Sequence, residues 1–208
     1  VIACVVILLV VLNKGEDPPP PPPDAVAEVQ PEPAIDEPEQ EGPSGETQIL
    51  VNGCKHMGAY ALADGKELWR MSGGGGIPVP TPIVADGAAI FTSNHQPLQP
   101  SHPLKPVIKV KLTAKGDLGI PKEGEDGGFG EHVAWMTTRV GNYMQTPIVV
   151  GEHVYLCYDS GILNCLDLGT GELVYRERVQ EGREGFTASP VACDGLIYLV
   201  SEEGNVVV

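Results

Sequence analysis

The chain has 208 residues, of which 42% are apolar, and a formal net charge of −15 at pH 7. Its acidic residues are unevenly distributed: residues 1–46 hold ten of them against one basic residue, Lys14, whereas residues 47–208 hold 18 against 12 basic ones. Because nucleic-acid binding depends on Lys and Arg neutralising phosphates, this balance argues against a nucleic-acid partner.

Residues 1–12, VIACVVILLVVL, form an unbroken apolar run. A helix of that length would reach only about 18 Å across a hydrocarbon core of about 30 Å. Because the chain starts at Val1 without a charged leader, we expect a sequence clipped upstream, ending in the tail of a signal peptide or transmembrane anchor. An uncleaved anchor is favoured, since an extended linker follows the run. This segment would tether the protein to a membrane, with the rest outside the cytoplasm.

Residues 13–46 hold ten of the 20 prolines and almost no large apolar residue. Such a segment cannot bury enough surface to offset its ordering entropy, so it is predicted to be a disordered acidic linker. Pro18–Pro23 predicts a stiff polyproline II spacer of about 19 Å. A PxxP ligand for an SH3-like partner is the alternative, although these prolines lack the flanking Arg that such ligands usually carry.

One phrase occurs three times in the remainder of the chain. The copies are TPIVADGAAIF at 81–91, TPIVVGEHVY at 146–155 and SPVACDGLIY at 189–198. In each copy a Pro opens a short β-branched run, a turn follows, and a hydrophobic–aromatic pair closes the phrase. A second phrase, GAYALADGKELW at 58–69, aligns without a gap with NCLDLGTGELVY at 164–175. Internal repeats of this kind predict a repetitive architecture.

Between residues 146 and 176 the short runs and intervening turn residues predict four strands joined by hairpins. These strands are Ile148–Val150, Val154–Tyr158, Ile162–Leu166 and Leu173–Arg176. Asp159-Ser160-Gly161 and Gly169-Thr170-Gly171 supply the Gly positions that tight turns need. The segment leaves no room for a crossover helix, so it is predicted to be an antiparallel meander.

The spacing of the repeated phrase gives the size of the repeating unit. Pro147 and Pro190 are 43 residues apart, and four strands per 40 to 45 residues is typical of a β-propeller blade. From Pro82 to Pro147 the interval is 65 residues, so one blade carries about 22 extra residues. They fall in Asn94–Pro106 and Lys115–Glu131, where hairpins should turn.

The segment Cys165–Tyr175, CLDLGTGELVY, resembles the blade signature A-x-D-x-x-T-G-K-x-x-W of the pyrroloquinoline-quinone (PQQ) repeat propellers. Ala59–Trp69 keeps the Ala, Gly, Lys and Trp of that signature. The resemblance covers residues 48–208 and includes the BamB-like and quinoprotein alcohol dehydrogenase-like branches. It implies an all-β fold: a partial β-propeller of about three four-stranded antiparallel blades in residues 47–208, the first and last incomplete. A propeller of seven or eight blades would need about 300 to 340 residues.

Two features with a possible binding role are better explained by the fold. Trp69, Trp135 and Tyr175 each end a blade's last strand, where a large flat side chain would dock one blade on the next. The glycines at 73–76 lack a following helix, which a phosphate cradle requires, because Pro-rich sequence follows. They are predicted to form a loop between blades.

No metal site is predicted. The five histidines are His56, His95, His102, His132 and His153, and they show no ligand spacing typical of zinc. Glu123, Glu125 and Asp126 lack the alternating spacing of a Ca²⁺ loop and are interpreted as a solvated loop. Cys54, Cys157, Cys165 and Cys193 lie in or beside predicted strands and are interpreted as small buried hydrophobes, with a Cys157–Cys165 disulfide as the alternative.

The resemblance implies that the quinone enzymes of the family carry a vicinal Cys-Cys disulfide near the cofactor, with acidic and Asn ligands to Ca²⁺. This sequence has no Cys-Cys pair and no carboxylates in such a motif, so catalytic, cofactor-binding and metal-binding residues are all predicted to be absent. The favoured function is a non-catalytic, membrane-tethered, extracytoplasmic protein-interaction scaffold that uses loops 94–106 and 115–131. The alternatives are a fragment of a PQQ-dependent dehydrogenase and a non-functional gene fragment.

Overall fold

The computed structural model describes residues 47–73, 75–93, 103–124, 128–182 and 184–208. The apolar run, the Pro-rich linker, His95, His102, Glu125 and Asp126 lie outside these ranges. The described residues form fifteen strands. In chain order they are β1 (Gln48–Asn52), β2 (Met57–Ala61), β3 (Glu67–Met71), β4 (Ile83–Ala85), β5 (Ala88–Thr92), β6 (Val107–Lys111), β7 (Gly116–Asp117), β8 (Val133–Thr137), β9 (Ile148–Val150), β10 (His153–Cys157), β11 (Ile162–Asp167), β12 (Leu173–Arg178), β13 (Val191–Cys193), β14 (Leu196–Val200) and β15 (Val206–Val207). No helix in these ranges is long and apolar enough to cross a membrane.

The strands form four sheets. The first sheet has the order β1-β2-β3-β7, the second β4-β5-β6-β8, the third β9-β10-β11-β12 and the fourth β13-β14-β15. Every pairing is antiparallel except that of β7 with β3. The prediction of an all-β fold with four-stranded antiparallel sheets is confirmed, and the strands of the third sheet match their predicted positions closely. The described residues give four sheets, one more than the expected number of blades, because residues 191–207 form a sheet of their own.

Each copy of the repeated phrase forms the first hairpin of a sheet: β4 with β5, β9 with β10 and β13 with β14. Two of these hairpins turn on Asp-Gly. Asp86 and Gly87 have φ values of 50° and 65°, and Asp194 and Gly195 have 51° and 77°. Two consecutive left-handed residues make a type I′ turn, which suits the twist of a tight hairpin. The turn geometry therefore explains why Asp-Gly occurs in two copies of the repeated phrase.

Successive sheets bury their faces against one another. One core cluster joins Met57 and Trp69 of the first sheet to Phe91 of the second. Another joins Ile90 of the second sheet to Val154 of the third, and a third cluster joins the third sheet to the fourth. Neighbouring strand residues point to opposite faces, so Ile90 and Phe91 can serve two different joints. Each inner sheet therefore packs against a neighbour on both faces, although β12 at the edge of the third sheet is exposed along its length.

The joint between the second and third sheets has Trp135 at its centre. Trp135 Nε1 donates to the Leu168 carbonyl at 3.0 Å, and the Lys109 Nζ donates to the same oxygen at 3.0 Å. Thr137 Oγ1 donates to the Gly171 carbonyl at 2.5 Å. A Cβ on Gly171 would lie 2.5 Å from the Trp135 ring. Trp135 thus packs on the Gly-containing turn of the next sheet. This contact agrees with the predicted role of Trp135 in docking one blade on the next.

Trp69 fills the joint between the first and second sheets. Its side chain is fully buried, and its ring meets that of Phe91 edge to face at 5.7 Å. Tyr175, which was expected to dock in the same way, is 37% exposed. The fourth sheet has three strands in the described residues, so it presents no turn equivalent to the one that covers Trp135.

A line of hydrogen bonds connects the three copies of the repeated phrase at their first residues. The backbone N–H of Thr81 donates to Thr146 Oγ1 at 3.1 Å, and the N–H of Thr146 donates to Ser189 Oγ at 2.9 Å. Each hydroxyl residue precedes the Pro that opens a sheet's first strand. The first residue of the repeated phrase, a Ser or Thr, therefore joins successive sheets by a hydrogen bond at the point where each sheet begins.

The contact between Gly171 and Trp135 predicts a position-specific effect of adding a methyl group. Gly171 and Gly65 occupy matching turns with φ values of 74° and 72°, but nothing lies within 4 Å of a Cβ at Gly65. Both Gly→Ala substitutions incur left-handed strain, and only Gly171→Ala also displaces the ring. We expect Gly171→Ala to lower the free energy of unfolding by about 1 to 3 kcal/mol more than Gly65→Ala, measured by chemical denaturation. Equal losses would show that the joint does not depend on this contact.

Candidate interaction surface

The two inserted loops leave β6 at opposite ends. One connects β5 to β6 through residues 93–106, and the other connects β6 to β8 through residues 112–132. A five-residue strand is about 17 Å long, so the two insertions join the sheet at points about that far apart. The structure thus divides the expected contact surface into two.

Part of the second insertion pairs with the neighbouring sheet. Its strand β7 runs parallel to β3, with Gly116 opposite Trp69 and Asp117 opposite Arg70. The Leu118 N–H donates to the Arg70 carbonyl at 2.8 Å, and the Ser72 N–H donates to the Gly119 carbonyl at 2.7 Å. The insertion is therefore fixed to the outer edge of the first sheet. This pairing also covers an edge that would otherwise present unpaired backbone groups.

Asp117 fastens this segment through both carboxylate oxygens. Oδ1 accepts the Gly119 N–H at 2.9 Å, and Oδ2 accepts Arg70 Nε and Nη2, each at 3.0 Å. The Gly119 hydrogen bond first, and then the Arg70 guanidinium, hold the pKa of Asp117 below its ordinary range. Hydrogen bonds to the charged form favour it, so the ionised carboxylate adds to the backbone pairing that attaches the segment.

Residues of the second insertion and the start of β8 line an open cavity of about 540 Å³. Apolar side chains such as Ile120 and Phe129 line it together with the charged Lys115, Lys122 and Glu131. Because the lining mixes apolar and charged side chains, it does not favour any single class of ligand.

The base of the first insertion is held against the connection between β8 and β9. The Ser93 N–H donates to the Pro106 carbonyl at 3.2 Å, and the Arg139 N–H donates to the Leu104 carbonyl at 2.8 Å. A Cβ on Gly141 would meet the carbonyls of Ser93 and Pro106 at 2.5 and 2.6 Å. Only glycine fits at this crossing, so the chain passes close to the base of the loop.

Tyr158 directly follows β10 and has two basic side chains over its ring. Lys105 Nζ lies 5.6 Å from the ring centroid, and the Arg176 guanidinium carbon lies 5.3 Å from it. The Tyr158 hydroxyl donates to the Arg139 carbonyl at 2.6 Å. Of these residues, only Lys105 lies in a segment, residues 94–106, that was predicted from the sequence as a contact surface. Arg139 lies shortly before the second copy of the repeated phrase, and no sequence motif marks it or Arg176 as a binding residue.

The histidines and cysteines weighed in the sequence are dispersed. His56 contacts Tyr60, with 3.1 Å between His56 Nε2 and the phenol oxygen, and His153 lies on a different sheet. No group of three possible metal ligands occurs among the described residues. Cys157 lies opposite Leu163 and Cys165 opposite Tyr155, so the two thiols are not cross-strand partners, and both are free and buried. Burial, followed by the charge of Asp159, raises the pKa of Cys157 to about 11.

Comparison with known proteins gives one sequence relative. No protein-family model matches the chain. It is 27% identical over 150 residues to the outer membrane protein assembly factor BamB of Alkalilimnicola ehrlichii, which covers 72% of this chain and 31% of that protein. The chain therefore spans less than a third of the length of this relative.

Solved structures with similar chain traces are more distant. BamB from Moraxella catarrhalis gives a TM-score of 0.47 at 15% identity, covering 76% of this chain and 44% of that one. A quinohemoprotein alcohol dehydrogenase from Pseudomonas putida gives 0.40 at 16% identity, covering 59% and 16%. A europium-containing methanol dehydrogenase gives 0.41 at 14% identity, covering 76% and 21%.

The lowered pKa of Asp117 predicts that attachment of the insertion depends on pH. A depressed carboxylate pKa stabilises the folded form above the ordinary value, near 4, and this contribution is lost as the pH falls through the folded value. Hydrogen exchange should therefore show the Leu118 and Ser72 amides losing protection below about pH 4. Asp117→Asn should lower that protection at neutral pH and remove its dependence on pH in this range.

Asp64→Asn is the matched control, because Asp64 Oδ1 accepts the Lys66 N–H in an equivalent turn but pairs with no second sheet. It should leave the Leu118 amide unchanged. An equal effect of both substitutions would contradict a specific role for Asp117.

Proposed function

Because the chain is similar to the PQQ-like β-propeller proteins, as its blade signature indicated, we propose that it is a non-catalytic protein-interaction scaffold. The repeated sheets supply a rigid frame, and the two insertions supply the contact surfaces. We propose further that the scaffold lies outside the cytoplasm, tethered to a membrane through residues 1–12 and spaced from it by residues 13–46.

The observation that carries this proposal is the attachment of the second insertion to two sheets. Residues 112–132 leave the second sheet, pair with β3 of the first through β7, and return to β8. A loop on a rigid scaffold that is itself held in place loses little conformational freedom on binding. The segment thus has the properties of a preorganised binding element, whereas a mere spacer would need no such pairing.

The sequence relative supports the same class of function. The protein to which the chain is 27% identical is named as a factor in outer membrane protein assembly. An assembly factor acts through other proteins, which agrees with surfaces built from loops. Because one fold hosts many functions, the partner of this chain has to be identified from its own surfaces.

The alternative is a piece of a PQQ-dependent dehydrogenase. The chemistry of the donor set does not fit the quinone and its Ca²⁺. Cys157 and Cys165 are buried, offset in register and not vicinal, and the described residues bring no three acidic, His or Cys ligands together. Bound-quinone absorbance and dye-linked alcohol oxidation by the complete protein, supplied with PQQ and Ca²⁺, would favour this alternative.

Replacing residues 115–131 with a tight Asn-Gly turn tests the scaffold directly. We expect the shortened protein to lose most of the partner that the unaltered chain captures from a cell-envelope extract, because the preorganised element is gone. Capture is measured by affinity purification and mass spectrometry. A second variant with residues 94–105 shortened tests the other surface in the same way.

Thermal unfolding of each variant controls for misfolding, because the first variant also removes Leu118 and Phe129, which pack against the first core cluster. A third variant combines both shortened loops. If this variant folds and still captures the same partner as the unaltered chain, the proposal is contradicted.

A further inference from the structure

The outer edge of the third sheet is open along its whole length. It is formed by β12, and all six residues of this strand are exposed. Leu173, Val174 and Tyr175 are 47%, 53% and 37% exposed. The corresponding strand of the second sheet, β8, is buried or half-buried at four of its five residues. The fourth sheet packs on a face of the third sheet, so it leaves this edge uncovered.

The counterpart of β12 in the first sheet is β3, because the second repeated phrase aligns the two strands without a gap. The outer edge of β3 is covered by β7. The Leu118 N–H donates to the Arg70 carbonyl at 2.8 Å, and the Ser72 N–H donates to the Gly119 carbonyl at 2.7 Å. β7 belongs to an insertion of the second sheet, so the first sheet gains this strand from outside its own repeat. The molecule therefore contains an example of strand addition at an outer edge.

β12 presents backbone groups in the same positions as β3. Under the same alignment, Arg176 and Arg178 occupy the places of the two β3 residues that bond to the insertion. The N–H of Val179 donates inward, to the Gly161 carbonyl at 3.0 Å. Hydrogen-bonding groups alternate between the two sides of a strand, so the N–H of Arg178 and the carbonyl of Arg176 point away from β11, toward the open edge. They match the groups through which β3 holds β7.

We propose that β12 is a docking edge to which the scaffold's partner adds an extended strand, in parallel, as β7 is added to β3. This inference rests on the proposed scaffold function and adds a third contact surface to the two insertions. Main-chain hydrogen bonds give such an addition its affinity, and side chains at alternate positions give it specificity. Because an added strand extends both faces of the sheet, the exposed Leu173 and Val174 favour an apolar segment rich in β-branched residues.

Other occupants of this edge fit less well. Residues 13–46 hold ten prolines, and Pro has no N–H to donate to a strand ladder. A second copy that paired its own β12 antiparallel to this one, about a twofold axis at the middle of the strand, would set Arg178 opposite Leu173 and Glu177 opposite Val174. Charged side chains would then face the exposed apolar ones. A partner segment with apolar residues beside Leu173 and Val174 avoids this conflict.

The test uses the full chain and two fluorescein-labelled peptides that share one sequence, alternating Val and Thr residues between Gly-Ser ends. One peptide has free backbone N–H groups, and the other is N-methylated at every Val and Thr, so it cannot complete a strand ladder. Fluorescence anisotropy should show the methylated peptide binding about tenfold more weakly or less, because backbone hydrogen bonds are lost. Hydrogen exchange should show the Arg176 and Arg178 amides gaining protection with the unmethylated peptide alone.

Arg178→Pro removes an N–H group that points to the open edge, a position at which an edge strand tolerates proline. It should bind the unmethylated peptide about threefold to tenfold more weakly, the scale of one backbone hydrogen bond. Arg178→Ala is the matched control, because it also loses the hydrogen bond from Arg178 Nη1 to the Ser160 carbonyl but keeps the backbone N–H. It should bind within about twofold of the unaltered chain. If Arg178→Pro unfolds, the methylated peptide and the exchange measurement decide.

Equal binding of the two peptides would overturn the proposal, as would protection gained outside β12 and not within it. Concentration-dependent dimerisation that protects the same amides without peptide would assign the edge to a second copy and would also overturn it. The scaffold itself is judged separately by the loop-shortened variants. Loss of capture in those variants, with no peptide-dependent protection of β12, would leave the scaffold standing and remove only this inference.

Discussion

The structure depends on the burial of each sheet's face against the next sheet. A single four-stranded sheet has two faces and cannot bury both alone, so the repeat is stable only when its neighbours cover it. Trp135 shows how the cover is made: it packs on Gly171 and donates to the Leu168 carbonyl of the following sheet. The hydroxyl bonds from Thr81 to Thr146 add a second point of attachment, at the start of the sheets. The spacing of the repeated phrase is thus the spacing of these joints.

The same constraint explains why the insertions are tolerated where they occur. Both lie in connections at the ends of strands, so neither interrupts a buried face. The second insertion also covers the outer edge of the first sheet, through Arg70 and Asp117. Growth at strand ends can therefore add surface without weakening a joint. The first insertion adds a different feature, because its return at Lys105 brings a cation over Tyr158.

Local patterns in the sequence predict much of this fold. The strands of the third sheet, the hairpin turns and the positions of both insertions follow from short runs and turn residues, which depend on neighbouring positions in the chain. The pairing of β7 with β3 was not predicted, because Gly116 has no strand preference and its register depends on a sheet formed earlier in the chain. The packing of Lys105 and Arg176 around Tyr158 also joins distant positions. The possible Cys157–Cys165 pairing failed for a related reason, since the register places each opposite another residue.

Hydrogen exchange in a Trp135→Ala variant tests most directly whether the sheets are stabilised by their joints. Trp135 belongs to the second sheet, but its contacts lie on the third. The account predicts that amides of β5 in the second sheet and of β10 in the third lose protection together and by similar factors. Loss confined to the second sheet, with β10 as protected as in the unaltered chain, would contradict it.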